Sequence, residues 1–290
     1  MKVDKASQTA QYMALFRALE STRPANKRLF KDPYAISFLD GKLKLATRLS
    51  PLFFVRRYVQ KAIHKKIPGA FSSGIARTRY IDDLLKQSIQ NNIQQVIILG
   101  AGFDTRALRL ECLKTIPVIE IDHPNTSRKK TTTLNKLMDH LPGHIRYWQI
   151  DFNKESLNEL ATRENLDFSI PTTIIWEGVT NYLDEQAINN TFAFAKQFAT
   201  GSYIIFTYVH KDVLEAPQNF FGAAQLLKDL DAIEERWTFG FNPEKLSAYL
   251  QQYNYVLLED FGATHYRDKY LPDRPEKGYE FYRVAFASKV

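Results

Sequence analysis

The sequence predicts an α/β fold built on one mostly parallel sheet. Seven short apolar runs recur along the chain from about residue 96 to residue 287, and helical patterns fill most of the gaps between them. Strands that are apolar on both faces are typical of parallel sheets covered by helices. The predicted strands are 96–99, 118–121, 145–150, 172–176, 203–209, 255–260 and 280–287.

The last two predicted strands follow one another with a turn-rich segment and no long helix between them. Strands joined in this way can pair side by side in opposite directions, so we expect an antiparallel hairpin at the edge of the sheet. After the fifth strand, residues 211–243 are rich in Phe and Trp and are expected to form an insertion that acts as a lid.

Ahead of the sheet, residues 1–72 are expected to form a helical cap on a core of residues 73–290, all within one domain. Two stretches of the cap, 7–21 and 42–66, carry apolar residues at intervals of three and four. The apolar face of such a helix can lie on a membrane surface, dock a partner or pack on the rest of the protein. Packing is the commonest outcome, and we expect it here.

The composition is that of a globular protein. Of the 290 residues, 44% are hydrophobic and 24% are charged, which excludes a disordered or low-complexity chain. The single cysteine, Cys112, excludes an intramolecular disulfide and any multi-cysteine metal site, and it suits a reducing compartment. The start of the chain lacks the apolar region of a signal peptide, and no stretch reaches the roughly 18 apolar residues of a membrane span. A soluble, cytoplasmic protein is expected.

The net charge of +7 is unevenly distributed. Residues 1–70 hold 15 basic and 4 acidic residues, whereas the remainder of the chain holds 24 basic and 28 acidic residues. A basic leader can attract an anionic partner or substrate, or it can be a solvated helical face. No nucleic-acid partner is expected, because neither basic and aromatic interleaving nor zinc-finger spacing accompanies the charge.

A glycine turn follows the first predicted strand, in the stretch QQVIILGAGFDTRALRL. The strand ends at Leu99, and Gly100, Ala101 and Gly102 come directly after it. Glycine suits this place because the backbone must turn sharply and let a ligand approach. A dinucleotide fingerprint requires a third small residue at position 105, where this chain has Thr105, so the pattern weakens a nicotinamide or flavin interpretation.

Acidic residues follow the next predicted strands. Asp122 lies 22 residues after Gly100, a spacing typical of an acid that binds ribose hydroxyls, although a helix cap before Pro124 would also explain it. Asp151 with Phe152 can accept the exocyclic amine of adenine and cover its ring. Ligands of such sheets bind outside the carboxyl ends of the strands, so a nucleoside site is predicted there.

The stretches LGAGFDTRALRL, EIDHP and WEGVTNYL, together with the Asp151–Phe152 pair, resemble the leucine carboxyl methyltransferase family. This family is a branch of the class I S-adenosylmethionine-dependent methyltransferases that includes bacterial small-molecule O-methyltransferases. The leader stretches FRALESTRPANKRLFKDPYA and SGIARTRYIDDLL are also similar to it. The resemblance implies a seven-stranded Rossmann-like methyltransferase sheet with an antiparallel last strand, S-adenosyl-L-methionine as cofactor and a small-molecule acceptor.

The resemblance also implies roles for particular residues. Arg77, within a helix predicted over 74–90, matches an arginine that holds the methionyl carboxylate of the cofactor. Glu177 matches a glutamate near the cofactor's amino group, and Tyr182 matches a tyrosine on the acceptor side. The implied cofactor-binding set is Arg77, Gly100, Ala101, Gly102, Asp122, Asp151, Phe152 and Glu177, with Glu177 and Tyr182 as catalytic candidates and no metal.

Methyl transfer requires an acceptor oxygen held in line with the methyl group, with water excluded. A carboxylate acceptor needs no general base, whereas a hydroxyl acceptor would need one. The candidates for that base are His123, His210, Tyr182 and Glu177. The leader arginines that are candidates to meet an anionic acceptor are Arg17, Arg23, Arg28, Arg56 and Arg57.

Two other functions stay open from the residues alone. One is a nicotinamide-dependent oxidoreductase on the same sheet, and the other is a protein that binds the cofactor without catalysis. The oligomeric state is also open.

Overall fold

Seven strands form one sheet in the computed structural model of the chain, which describes residues 8–151, 154–273 and 277–290. All seven predicted strands are confirmed, and their bounds differ from the prediction by at most two residues. The strands are β1 (Gln95–Leu99), β2 (Val118–Asp122), β3 (Ile145–Gln149), β4 (Thr172–Trp176), β5 (Tyr203–Val209), β6 (Tyr255–Phe261) and β7 (Tyr282–Lys289).

The strand order is β3-β2-β1-β4-β5-β7-β6. The first five strands pair in parallel, and β7 runs antiparallel to both of its neighbours, β5 and β6. This confirms the mostly parallel sheet with an antiparallel last strand. The strand order reverses direction at β1 and β4, so the crevice for a ligand lies where these two strands end.

Helices cover both faces of the sheet. The helices are α1 (Gln8–Ser21), α2 (Gly41–Leu49), α3 (Phe53–Lys66), α4 (Ala70–Ile89), α5 (Arg106–Arg109), α6 (Pro124–Leu134), α7 (Leu157–Arg163), α8 (Glu185–Ala195), α9 (Asp212–Glu215), α10 (Ala223–Ala232), α11 (Pro243–Gln251) and α12 (Ala263–Tyr270). Short 3-10 turns occur at Ala35–Phe38, Glu111–Leu113, Thr180–Tyr182 and Pro217–Asn219. Among the described residues, no helix is long and apolar enough to cross a bilayer.

The antiparallel pairing predicted for the last two strands at the edge of the sheet is confirmed, and their connection contains a short helix that the prediction lacked. Strands β6 and β7 do pair antiparallel, and β6 is the edge strand, but α12 lies between them in the chain. This helix packs on α4, and the hydroxyl of its buried Tyr266 donates to the carbonyl of Tyr282 at 2.9 Å. The sequence ATHYRDKY is too polar to show a helical period of apolar residues, because only one face of the helix is covered.

Alternate residues of β1 face different sides of the sheet. Val96 and Ile98 pack with α1 and α4, whereas Ile97 and Leu99 pack with residues of α8 and α11. All four side chains are buried. Apolar residues suit all four of these positions because both faces of the sheet are covered, which explains the apolar run VIIL in the sequence.

The cap behaves differently in its two halves. Helix α1 packs as expected, since Ala14, Leu15 and Leu19 are buried in the same cluster as β1. Helix α3 contradicts the expectation of packing, because none of its residues is buried. Its Val59 and Ile63 touch the core only partly, so most of its apolar surface lies outside the fold.

The segment after β5 contains α9 and α10 and packs on the chain just before β7. Val213, Leu230 and Trp237 share a buried cluster with Tyr279 and Phe281. Residues 211–243 therefore lie beside the carboxyl end of β5, where the lid was predicted. Whether they open and close stays a prediction.

Candidate active site

The glycine turn lies between the end of β1 and the end of β2. The amide groups of Gly100 and Ala101 donate to the carbonyl of Ile121 at 2.8 and 3.2 Å. Gly100 and Gly102 have φ angles of +62° and +49°, which side chains disfavour. A Cβ at Gly100 would also lie 2.4 Å from Cγ2 of Val179. The turn therefore needs glycine at position 100 for both conformation and space.

The structure joins Asp122 directly to this turn. One of its carboxylate oxygens accepts from the amide of Gly102, and the other accepts from the amide of His123 at 2.6 Å. Burial raises the pKa of Asp122 above its usual value, although these two amide donors oppose the shift. A carboxylate has about four acceptor positions, so Asp122 can hold the turn and still accept hydroxyl donors from a ligand. The alternative role as helix cap falls to His123, whose Nδ1 accepts from Asn125 at 3.3 Å.

Glu177 follows β4 and lies between two arginines. Arg77 of α4 donates from Nε to Glu177 Oε1 at 2.9 Å, and Arg106 places Nη1 2.8 Å from Glu177 Oε2. Arg106 also pairs with Asp104, which follows the glycine turn. The turn and the Arg77–Glu177 pair are thus connected through one buried guanidinium group.

The two arginines determine the charge of Glu177. Burial favours the neutral acid, but the guanidinium groups of Arg106 and Arg77 outweigh it and hold the pKa of Glu177 below its usual range. Glu177 is therefore ionised at neutral pH. A carboxylate held in this way is a weak base, and its chemistry is to hold cationic groups.

Arg77 is held on several sides. Its Nη2 lies 3.4 Å from the sulfur of Met13 in α1, and its guanidinium carbon lies 4.4 Å from the ring centre of Tyr282. Contact with the aromatic ring favours the cation and restricts its rotation. The guanidinium group has five N–H donors, so these contacts are compatible with a bidentate carboxylate contact.

Tyr182 lies in the short 3-10 turn after β4. Its hydroxyl lies 3.4 Å from Oγ1 of Thr9 in α1, and Thr9 in turn donates to Glu235 of the segment after β5 at 2.7 Å. Burial raises the pKa of Tyr182 to about 12, so the hydroxyl is protonated at neutral pH. The start of α1 and the 211–243 segment thus meet over Tyr182.

Asp151 follows β3 and is only partly buried. Its Oδ2 lies 3.2 Å from Nζ of the exposed Lys154, and its backbone carbonyl accepts from the amides of Lys154 and Glu155. Phe152, predicted to cover adenine beside it, lies outside the described residues. The adenine assignment for this pair stays a prediction.

The structure separates one leader arginine, Arg17, from an acceptor role. Arg17 is buried, donates from Nε to Asp32 at 2.9 Å and also contacts the carbonyl of Phe103. Arg23 follows α1 and lies 3.6 Å from Glu20 of that helix. Because Arg17 is buried and bound within the fold, the expectation that it meets an anionic acceptor was wrong for this residue.

Sequence reasoning missed Arg106, Asp104 and Asn181. The arginine lies in the single-turn helix α5, beside apolar neighbours in TRALRL, and a charge among buried positions was the available signal. Asn181 is buried, and its Nδ2 has no hydrogen-bond partner in the part of the chain that the structure describes. An unpaired buried amide is costly unless a ligand satisfies it.

Two bacterial proteins are similar to this chain in amino-acid sequence. A Streptomyces coelicolor protein, provisionally named as an S-adenosyl-L-methionine-dependent methyltransferase, is 31% identical over 210 residues, which is 71% of this chain and 70% of that protein. A Mycobacterium avium protein of the same provisional name is 38% identical over 112 residues, which is 39% of this chain and 36% of that protein.

Solved structures show the same fold. A crystal structure of a Thermobifida fusca protein, provisionally described as a methyltransferase, matches with a TM-score of 0.58 at 19% identity, covering 93% of this chain and 97% of that one. A DUF574-family protein from Streptomyces avermitilis matches with a TM-score of 0.57 at 16% identity, covering 81% and 91%. The profile of the leucine carboxyl methyltransferase family matches residues 10–196. This chain therefore belongs to the leucine carboxyl methyltransferase family.

Proposed function

We propose that this protein transfers the methyl group of S-adenosylmethionine to an oxygen of a small molecule, with a carboxylate as the favoured acceptor. The observation that carries this proposal is the convergence of three features at the carboxyl ends of β1, β2 and β4. These features are the glycine turn, the Asp122 carboxylate joined to it, and the buried Arg77–Glu177 pair. Its cofactor is S-adenosylmethionine, as in the names of the relatives.

The residues of this site suit the parts of that cofactor. Asp122 would accept from the ribose hydroxyls, Arg77 would hold the methionyl carboxylate and Glu177 would face the amino group. The positive φ angles at the glycine turn keep Cβ atoms out of the approach to the backbone. The cofactor supplies a cationic sulfonium that carries its own leaving group. The protein's task is to bind, to orient the acceptor and to exclude water.

The state of the two catalytic candidates favours a carboxylate acceptor. Glu177 is bound by two arginines, which makes it a weak base, and Tyr182 is a protonated phenol at neutral pH. Neither group is suited to removing a proton from a hydroxyl acceptor. A carboxylate is already ionised and needs no such step. We assign Glu177 to charge placement and Tyr182 to contact with the acceptor.

The two histidines are poorly placed as bases through their Nδ1 atoms. His123 Nδ1 accepts from the amide of Asn125 at 3.3 Å, and His210 Nδ1 accepts from the amide of Asp212 at 3.2 Å. Each contact holds the imidazole ring against the backbone at the start of a helix or in a turn.

The unpaired Nδ2 of Asn181, beside Tyr182 in the chain, is a better candidate to contact an acceptor oxygen.

Cofactor binding can be tested by thermal unfolding with S-adenosylhomocysteine, the product cofactor. We expect this ligand to raise the melting temperature and NADH to leave it unchanged. Asp122→Asn should weaken S-adenosylhomocysteine binding by about tenfold or more, since it removes a charged acceptor of hydrogen bonds. Asp139→Asn, at an exposed position, is the matched control and should bind as the unaltered chain does.

The outcomes separate the alternatives. Stronger stabilisation by NADH than by S-adenosylhomocysteine would favour an oxidoreductase. Binding of the product cofactor without turnover on any acceptor would favour a protein that binds the cofactor without catalysis. No binding of either ligand would contradict the proposed site.

The acceptor oxygen can be identified from the product. Incubation with S-adenosylmethionine labelled in the methyl group and a panel of small carboxylic acids, phenols and alcohols should label carboxylates preferentially. Methyl esters release labelled methanol in mild base, whereas methyl ethers are stable. Label that resists base treatment would contradict a carboxylate acceptor and leave methyl transfer itself intact.

A further inference from the structure

The corner between α2 and α3 exposes a set of large apolar side chains. We call this set the α2–α3 tip: Leu45, Leu49, Leu52, Phe53, Phe54 and Tyr58. Phe54 is 82% exposed and Tyr58 is 75% exposed, values that leave nearly the whole of each ring in solvent. Scattered apolar residues on a surface are ordinary, but six within one short segment form a patch that indicates a binding surface.

The same segment is strongly basic. Residues 41–66 contain no acidic residue. Their eight cations are Lys42, Lys44, Arg48, Arg56, Arg57, Lys61, Lys65 and Lys66. This segment supplies most of the excess positive charge of the leader, and it concentrates that charge around the exposed apolar residues.

Helix α3 presents both kinds of residue on its outer side. Phe54, Tyr58, Lys61 and Lys65 follow one another at intervals of four, three and four, so they lie on one face of the helix. Tyr58 carries a hydroxyl group, Lys61 and Lys65 are charged, and all four side chains are exposed. The opposite face, through Val59 and Ile63, makes the partial contact with the core. The fold thus directs the aromatic and basic stripe outward.

A second copy of this chain is a poor occupant for the tip. Two tips placed face to face would bring together sixteen cations with no acidic residue from either segment, by doubling the eight of one segment. The core of the same chain is also a poor occupant, because the inner face of α3 already contacts it and still buries no residue. The partner must therefore offer negative charge beside an apolar interior.

An anionic membrane surface has this chemistry. Its phosphate headgroups attract lysine and arginine, and the acyl region beneath them takes up aromatic and leucine side chains. An exposed corner with aromatic residues and flanking cations suits such a surface, because it offers apolar groups and positive charge together. We propose that the α2–α3 tip docks this protein reversibly on anionic lipid bilayers. The proposal concerns location and does not depend on the methyl-transfer activity.

Sedimentation with lipid vesicles tests the proposal on the full chain. We expect the protein to sediment with phosphatidylcholine vesicles that contain about a third phosphatidylglycerol, and to remain in the supernatant with pure phosphatidylcholine. Sodium chloride at about 0.5 M should weaken the binding, because it screens the headgroup charge. The double variant Leu52→Ser/Phe54→Ser and the double variant Arg57→Glu/Lys61→Glu should each lose binding by about tenfold or more.

The matched control is Lys136→Glu/Leu137→Ser, which changes one exposed cation and one exposed apolar residue outside the cap, in the core of residues 73–290. It should bind vesicles as the unaltered chain does. Circular dichroism and melting temperature should be unchanged in all three variants, because the substituted side chains are exposed. The proposal is overturned if the unaltered chain ignores anionic vesicles, or if both tip variants bind as tightly as the control. Concentration-dependent dimerisation that is lost in the tip variants, without vesicle binding, would instead assign the tip to a second copy.

Discussion

Gly100 determines the shape of the site at the scale of a single residue. It stands where β1 ends, and its amide donates to the carbonyl of Ile121 at 2.8 Å. The methyl Cγ2 of Val179 lies too close to the position that a Cβ would take. Its φ of +62° lies in the left-handed region that side chains rarely adopt. The backbone conformation and the lack of space therefore each disfavour a Cβ at residue 100.

Replacement of Gly100 by alanine should lower the free energy of unfolding by about 2–4 kcal/mol, because the new methyl group meets Val179 in a conformation that alanine disfavours. Binding of S-adenosylhomocysteine should weaken as well. Urea denaturation and the thermal shift with this ligand measure the two effects.

The control for this substitution is Gly143→Ala. Apart from its chain neighbours, no atom of the residues that the structure describes lies within 4 Å of a Cβ placed at Gly143, and the φ of Gly143 is not positive. The free energy of unfolding of the Gly143→Ala variant should stay within about 0.5 kcal/mol of that of the unaltered chain. Equal stability of the two variants would contradict the role given to the backbone of Gly100.

At the scale of elements, the leader is bound to the glycine turn through Asp32. This buried carboxylate accepts from Nε of Arg17 at 2.9 Å and from Oγ1 of Thr105 at 2.6 Å. It also accepts from the amides of Tyr34 and Ala35. Burial opposes its ionisation, but the guanidinium groups of Arg17 and Arg109 outweigh burial and lower the pKa of Asp32. The first helix and the loop that follows β1 are thus held at a fixed distance.

Asp32→Asn should lower the free energy of unfolding by about 3–5 kcal/mol at neutral pH, because the buried Arg17 loses its counter-charge. Asp40→Asn is the matched control on the same leader. Asp40 is 74% exposed and should change stability by less than about 0.5 kcal/mol. Urea denaturation of the three proteins at pH 7 measures the difference.

The pH dependence gives a second check. A lowered pKa means that Asp32 stabilises the fold fully above its unfolded pKa and that this contribution is lost as the pH falls through the folded pKa. The gap between the unaltered chain and Asp32→Asn should therefore be constant above about pH 5 and narrow below about pH 4. A gap that narrows as the pH rises would contradict this assignment.

At the scale of the whole molecule, the leader and the sheet share one core. Phe16 of α1, Ile81 of α4 and Ile98 of β1 belong to the same buried cluster. Phe16 also makes an edge-to-face contact with Phe71 at 5.5 Å. Residues that belong to one cluster gain their burial energy together, so separation of the cap from the core would expose both.

The chain should therefore unfold in one cooperative transition, with residues 1–72 and 73–290 melting together. Far-ultraviolet circular dichroism, which reports the helices, and tryptophan fluorescence, which reports Trp148, Trp176 and Trp237, should give the same midpoint. An earlier transition confined to helical signal would show that the cap is a separate unit. Early fraying of the exposed helix α3 would be compatible with a single domain, because none of its residues is buried.

The strands were predictable because local sequence carries their signal. A strand such as β4, with the sequence TTIIW, is buried throughout and carries an apolar run because both faces of the sheet are covered, and this signal needs no knowledge of distant residues. Helix α12 was missed because its one buried face is set by α4, far away in sequence. Helix α3 was expected to pack, and periodicity alone could not show that its outer face is left uncovered by the residues that the structure describes.

The sequence by itself determined the α/β sheet, the glycine turn after β1 and the acidic residues at the ends of the following strands, because chain order and burial pattern are local properties. Only the tertiary structure decided which charges meet. Arg77 and Glu177 are 100 residues apart in sequence, and Arg106 lies close enough to bind the same carboxylate. Coulombic interactions depend on distance in space and on burial, and both arise only when the sheet brings the ends of its strands together.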